Sequence, residues 1–306
     1  MSAAGKHVAV LMGGWSAERE VSLVSGAAVE RALAGSGYRV TGIDVTRDLS
    51  STLTEVRPDV VFNALHGSIG EDGCVQGLLE VMGLPYTHSG VLASALAMDK
   101  PAAKRLFADA GLTCPEGRVL DRAAIAAGAA GEPPYVIKPL DQGSSVGVHL
   151  VFTGDNDVLL NGDWSYGEQV LVERYIPGRE IQVAVMGERA LGAIEIKPKG
   201  RFYDYEAKYT EGRADHHMPA PIHSDAYHKA LEISLTAHRA LGCRGVTRAD
   251  LRYDDTAGEP GQFYLLEINT QPGMTPLSLV PEIAADVGIS FEELVCWLVE
   301  NAACDS

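Results

Sequence analysis

Apolar and polar positions in residues 1–90 switch between two periods. His7–Met12 is a short, continuous apolar run suited to a buried strand. Gly13–Arg19 reads as a loop. Val21–Ala34 then places Val21, Val24, Ala28, Val29 and Leu33 on one side of a helix. Tyr38–Val45 and Asp59–Leu65 read as strands, and Cys74–Met82 as a helix. Such alternation predicts a parallel sheet flanked by helices, which takes ligands at the carboxyl ends of its strands. The loops at those ends are Gly13-Gly14-Trp15-Ser16-Ala17-Glu18 and His66-Gly67-Ser68-Ile69-Gly70-Glu71-Asp72-Gly73.

From about Val91 the pattern changes. One helix carrying Met98-Asp99-Lys100-Pro101 is expected to continue to about Ala110, and Ala123–Gly131 reads as a surface helix or connector. Tyr135–Pro139 and Val146–Phe152 form a hairpin-like pair around a Gly/Ser loop, followed by a strand at Gln169–Tyr175. Glu180–Met186 and Ala190–Ile196 are further strands. A polar and aromatic loop runs from Lys197 to about His217, and a helix from about Ser224 to Leu241. Two strands around Asp250 and Glu267 flank a turn containing Asp254, Asp255, Gly258, Pro260 and Gly261, and the C-terminus is helical.

A chain of 306 residues suggests two or three domains, and 46% hydrophobic with 22% charged residues supports a sizeable core. The net charge of −16 argues against general binding to nucleic acid or to an acidic membrane surface. It leaves room for an anionic substrate, because a local cation cluster or metal reverses the local field. The five cysteines are odd in number and include no C-x-x-C, so a reducing cytoplasm fits better than a disulfide framework or a zinc site. The apolar run near the N-terminus is too short for a signal peptide or a membrane span.

Candidate chemistry is concentrated late in the chain. Glu267 and Asn269, two apart on a strand, share a face, and Asp250 lies on the neighbouring strand. Three hard oxygen donors beside a Gly-rich loop suit Mg²⁺, which keeps its other positions for water and phosphate. Gly143-Ser144-Ser145-Val146-Gly147 fits the G-x-S-x-G nucleophile elbow, but that motif needs a following helix and the residues here are β-rich. A phosphate-covering loop, with Lys138 upstream as its cation, fits better. The loop is not a Walker A motif.

These motifs, together with further blocks, make the chain resemble the D-alanine–D-alanine ligases of the ATP-grasp superfamily, from Val8 to about Leu298. The blocks are Gly13-Gly14-x-Ser16-Ala17-Glu18-Arg19-Glu20-Val21-Ser22, Ala64-Leu65-His66-Gly67 with Gly70-Glu71-Asp72-Gly73, Tyr86-Thr87 with Ser89-Gly90-Val91, and Met98-Asp99-Lys100. Lys138-Pro139 with the Gly143–Gly147 loop, Phe202-Tyr203-Asp204-Tyr205-Glu206-Ala207-Lys208-Tyr209, and Leu266-Glu267-x-Asn269-Thr270-x-Pro272-Gly273-Met274-Thr275 complete the set in family order.

The resemblance implies an α/β, three-domain ATP-grasp architecture: an N-terminal parallel-sheet (pre-ATP-grasp) domain over 1–90, a central subdomain over 91–175 and a C-terminal one over 176–306. It implies ATP and two D-alanines as substrates, Mg²⁺ or Mn²⁺ with two ions bound, a cytoplasmic homodimer, and the dipeptide of peptidoglycan as product. By resemblance, Asp250, Glu267 and Asn269 hold the metal, and Lys100, Lys138, Ser145 and Lys208 meet phosphate. Glu173 and Ile176 match the adenine-edge segment, and Glu180 the ribose contact. Glu18 matches the partner of the first D-alanine's ammonium, although a carboxylate there also suits a helix N-terminus. His66 lies near the reacting carboxylate and Tyr203 contributes to substrate binding. Glu18, Ser144 and Tyr209 form a triad under the 197–217 loop. Arg248 and the Gly273 N–H match the oxyanion donors, and Ser278 with the Leu279 backbone the second carboxylate site. Gln271 and Pro276 depart from the usual family choices. Tyr209 favours an amine acceptor over a hydroxy acid.

Overall fold

The computed structural model describes residues 5–143, 147–155, 168–200 and 212–305. Its first unit is a three-stranded parallel sheet in the order β2-β1-β3, with β1 at His7–Met12, β2 at Arg39–Asp44 and β3 at Val60–Asn63. All six residues of β1 are buried, which is why its sequence is continuously apolar rather than alternating. Helices α1 (Arg19–Gly35), α2 (Leu49–Val56) and α3 (Cys74–Met82) complete this unit. The two Gly-rich loops leave the carboxyl ends of the adjacent strands β1 and β3, and so stand side by side.

The helix expected around Met98–Pro101 is two helices, α4 (Val91–Met98) and α5 (Lys100–Asp109). Pro101 lacks an N–H and is tolerated only in a first turn, while the Asp99 side chain accepts from Ala102 N at 2.9 Å and caps the new start. An antiparallel sheet follows, in the order β4-β7-β5-β6: β4 is Gly117–Asp121, β5 Tyr135–Pro139, β6 His149–Val151 and β7 Gln169–Arg174. A short α6 (Arg122–Ala126) is capped by Asp121.

The third sheet, β10-β9-β8-β11-β12, is also antiparallel. Its strands are β8 Arg179–Met186, β9 Arg189–Pro198, β10 Ala214–His217, β11 Val246–Asp254 and β12 Gln262–Asn269. Both ends of the expected 197–217 loop are therefore strand: β9 runs to Pro198 and pairs with β10, giving the loop a hairpin base. Alternate residues of β8 face two cores. Ile181 and Val183 pack with Phe107, Leu251 and α7 (Ser224–Ala240). Ala184 joins a core that takes in Val8, Val10 and Phe62 of the first sheet with α8 (Leu279–Asp286) and α9 (Phe291–Glu300). The first and third sheets thus share one core, and the second packs a core of its own around Ile137 and Val170. Among the described residues, no helix is long and apolar enough to cross a membrane.

Candidate active site

A cleft of about 390 Å³ lies between the second and third sheets. Val136 and Leu150 line it from one side and Ile196 and Leu266 from the other, apolar walls suited to a flat ring. Ile176, Glu180, Lys100, Lys138, Glu173, Asp250 and Glu267 also face it, so residues expected to bind ATP and metal converge in one space.

At one end the α5 N-terminus delivers Lys100, whose Nζ donates to the Gln142 carbonyl at 2.6 Å and stands 3.9 Å from Glu267 Oε2. Burial lowers the Lys100 pKa despite the nearby Glu267. Lys138 on β5 and Glu173 on the neighbouring β7 form an ion pair of 2.7 Å. Lys104 meets the other oxygen of Glu173 at 2.5 Å. Burial alone would raise the Glu173 pKa, but Lys138 and Lys104 outweigh it and hold the carboxyl below its ordinary range. Burial likewise opposes charge on Lys138, yet Glu173 keeps its pKa above the usual value. Lys104 was not apparent from the motifs; its only signal is its position one turn after Lys100, on the same face of α5.

Beside Lys100, Asp250 of β11 pairs in register with Glu267 of β12, and Arg248 with Asn269. Directly opposed and two-apart residues share a face, so all four side chains point the same way. A β-bulge follows: Leu251 pairs with Leu265, and Leu266 is the extra residue. The bulge lets Leu266 and Glu267, consecutive in sequence, both line the cleft. Arg248 grips Asp250 with two bonds, Nε to Oδ1 at 2.7 Å and Nη2 to Oδ2 at 2.9 Å. Each Asp250 oxygen keeps a lone pair, so the Arg248 grip and a cation are compatible. Two carboxylates and an amide oxygen are a hard donor set. They fit Mg²⁺ arriving on phosphate better than a metal caged by protein alone. Among the described residues no group of three His, Cys, Asp or Glu is placed to cage a metal by itself.

The Gly-rich loops of the first sheet close the site. Glu18 is the N-cap residue of α1 and is buried, with no side-chain capping bond. Gly67 is at φ 70°, and a Cβ there would lie 2.7 Å from Glu18 Oε2, so a side chain would be strained and would push Glu18 aside. His66 is buried between Glu71, 3.2 Å from its Nδ1, and Ser25, 3.1 Å from its Nε2, and Ser25 in turn accepts from Met274 N at 3.3 Å. A small gap of about 30 Å³ lined by Glu71, Lys100, Gly143, Glu267 and Asn269 joins this end to the phosphate and metal residues.

The 271–278 segment is held at both ends. Gln271, unusual by family resemblance, is buried and exchanges bonds with the first sheet: Asn63 Nδ2 donates to its Oε1 at 3.0 Å, and its Nε2 donates to the carbonyls of Asn63 and Leu65 at 2.9 and 3.0 Å. Ser278 is the N-cap residue of α8, and its Oγ accepts from Thr275 N at 2.9 Å. A Cβ on Gly273 would approach that Oγ to 2.7 Å, so Gly273 and Ser278 are neighbours, and Leu279 opens α8 beside them. Ser144, Ser145, Tyr203, Lys208 and Tyr209 lie outside the described residues.

Two family models match the chain: "D-ala D-ala ligase C-terminus" over residues 120–300 and "D-ala D-ala ligase N-terminus" over residues 49–89. A D-alanine–D-alanine ligase of Parvibaculum lavamentivorans is 58% identical over 303 residues, covering 98% of both chains. Among solved structures, the D-alanine–D-alanine ligase of Bacillus anthracis complexed with ATP aligns at a TM-score of 0.80 with 30% identity, over 97% of this chain and 96% of that one. The VanG D-Ala:D-Ser ligase of Enterococcus faecalis aligns equally well, at 0.80 with 31% identity over 97% and 99%.

Proposed function

The chain belongs to the D-alanine–D-alanine ligase family, and on that premise we propose that it uses ATP to join two D-alanines into D-alanyl-D-alanine, releasing ADP and phosphate. The observation that carries the reading is the convergence of two sets of residues on one cleft. Lys100, Lys138 and Glu173 form one set and Asp250 and Glu267 the other, and the two sets meet where Lys100 stands 3.9 Å from Glu267. The smaller gap then leads from Lys100 and Glu267 to the Gly-rich loops of the first sheet.

The chemical obstacle is that a carboxylate is a poor electrophile. Transfer of the γ-phosphoryl group of ATP to one carboxylate oxygen of the first D-alanine gives an acyl phosphate. The second D-alanine's amine then attacks the carbonyl carbon, a proton is lost, and phosphate departs with that carboxylate oxygen. Lys100 and Lys138 would meet the phosphates as point charges, Val136, Leu150, Ile176 and Leu266 would flank the base, and Glu180 would take the ribose hydroxyls. Asp250, Glu267 and Asn269 would hold Mg²⁺. When bound, the metal neutralises charge on the phosphoryl group, in a reaction that rests on positioning and electrostatics.

Glu18 would receive the first ammonium, with His66 fixed beside the reacting carboxylate by Glu71 and Ser25. Arg248 and the Gly273 N–H would stabilise the tetrahedral oxyanion. Ser278 and the Leu279 N–H, at the start of α8, would bind the second carboxylate. Ser144, Ser145, Tyr203, Lys208 and Tyr209 complete the site by resemblance. The protein would work as a cytoplasmic homodimer that supplies peptidoglycan precursor.

The likeness to a D-Ala:D-Ser ligase leaves the acceptor open to test. Phosphate release is measured with D-alanine alone and with D-serine or D-lactate added, with and without Mg²⁺. The expected result is Mg²⁺-dependent phosphate release with D-alanine alone. Absence of any D-alanine-dependent phosphate overturns the reading, and a strong preference for D-serine reassigns the acceptor.

A further inference from the structure

The pair of cations on Glu173 is asymmetric. Lys138 lines the cleft, whereas Lys104 does not, although both contact the same carboxylate. The Glu173 side chain is 1% exposed, with one ammonium on each oxygen: Lys104 on Oε1 and Lys138 on Oε2. A buried carboxylate that loses one of two cations turns toward the other, because an uncompensated charge away from water is costly. Without Lys104, both Glu173 oxygens would close on Lys138. That would draw the Lys138 ammonium off the phosphates and rotate the oxygen at the base-binding edge of the cleft.

We infer that Lys104 is a positioning residue for nucleotide binding: it anchors Oε1 of Glu173 so that Oε2 and the Lys138 ammonium stay presented to the cleft. The inference rests on the reading of this cleft as a nucleotide site. Lys104 touches neither nucleotide nor amino acid and acts through Glu173. It stands one helical turn after Lys100, so α5 supplies one lysine to the cleft and one to the carboxylate behind it.

The test is a double-mutant cycle on affinity for a non-hydrolysable ATP analogue with Mg²⁺, using wild type, Lys104→Met, Glu173→Gln and the double variant. Lys104→Met is expected to weaken binding by roughly tenfold or more, the scale of a lost charged contact. In the Glu173→Gln background it is expected to add no further loss, because no carboxylate remains to be held. Lys104→Arg should restore most of the affinity. In turnover, Lys104→Met should raise KM for ATP and leave KM for D-alanine unchanged. Unliganded melting temperatures are measured alongside, and Lys104→Gln runs the same cycle if Lys104→Met does not fold. Wild-type affinity in the Lys104 variant, or a full additional loss on top of Glu173→Gln, overturns the inference; the latter would make Lys104 a general source of positive field. Failure of the wild-type protein to bind the analogue would instead overturn the nucleotide reading itself.

Discussion

Three cations of the site stand beside carboxylates that line the cleft: Lys138 with Glu173, Arg248 with Asp250, and Lys100 at longer range with Glu267. The charges that would serve ATP and Mg²⁺ therefore compensate one another when the site is free, and binding exchanges these partners for phosphate and metal. Removing one member of the two close pairs, Lys138–Glu173 or Arg248–Asp250, leaves its partner buried and unmatched. Glu267→Gln is expected to lower kcat by about a hundredfold or more, the scale of losing a preorganised electrostatic group. Its melting temperature, measured in parallel, should change little, because Glu267 is held from Lys100 by 3.9 Å. Gly273→Ala should act differently. Its Cβ would crowd the Ser278 Oγ, so KM for the second D-alanine should rise while nucleotide affinity, measured by titration, is retained. The residue types at these positions were legible as chemistry from spacing and resemblance. Their pairings were not, because they depend on which residues face each other across β11 and β12 and on the bulge after Asp250. Lys104 was missed for a related reason: a lysine on a helix is ordinary until the carboxylate it meets, on a strand far along the chain, is known.

Two helices where the periodicity suggested one show how a short polar signal overrides an apolar pattern. Asp99 and Pro101 together end α4 and start α5, and this places Lys100 in the first turn of α5, facing the cleft. Asp99→Ala should cost about 1 kcal/mol of stability through the lost cap, read by urea unfolding. It should also raise KM for ATP through misplacement of Lys100. Strand β4 escaped the sequence reading because four of its five residues are exposed and it lies at a sheet edge, where burial imposes little pattern. The ends of the 197–217 segment read as loop because their polar composition masks the backbone pairing of β9 with β10. Gln271 stood out as an unusual residue, and the structure supplies the reason: it bonds β12 to the carboxyl end of β3. Gln271→Ala leaves a buried donor and two carbonyls without these partners. It should destabilise the protein by about 3 kcal/mol, measured by denaturant unfolding.

The three sheets divide the labour. The first and third share a core and would hold the amino acids, while the second lines the cleft proposed for the nucleotide. The ATP-grasp fold class followed from the family resemblance, but the core shared by the first and third sheets did not; the strand–helix alternation alone reached only the first sheet, because antiparallel pairing between distant strands leaves no local signature. Two histidines at the packed junctions give the assembly a pH signature. Burial pushes the pKa of His88 down to about 3 and that of His238 to about 4, from 6.5. A proton therefore binds the unfolded chain more readily, so the stability these sites contribute is complete above about pH 6.5 and declines as the pH falls toward 4. Melting temperatures recorded across that window should fall, and His238→Gln should flatten part of the slope; an unchanged slope would mean His238 carries none of it.

If ATP activates a carboxylate in this protein, the same carboxylate oxygen leaves with phosphate. Turnover of D-alanine labelled with ¹⁸O in its carboxylate, followed by mass analysis of the released phosphate, tests it most directly. Passage through an acyl phosphate puts one labelled oxygen in phosphate for each dipeptide formed. Phosphate free of label, with dipeptide still accumulating, would contradict it.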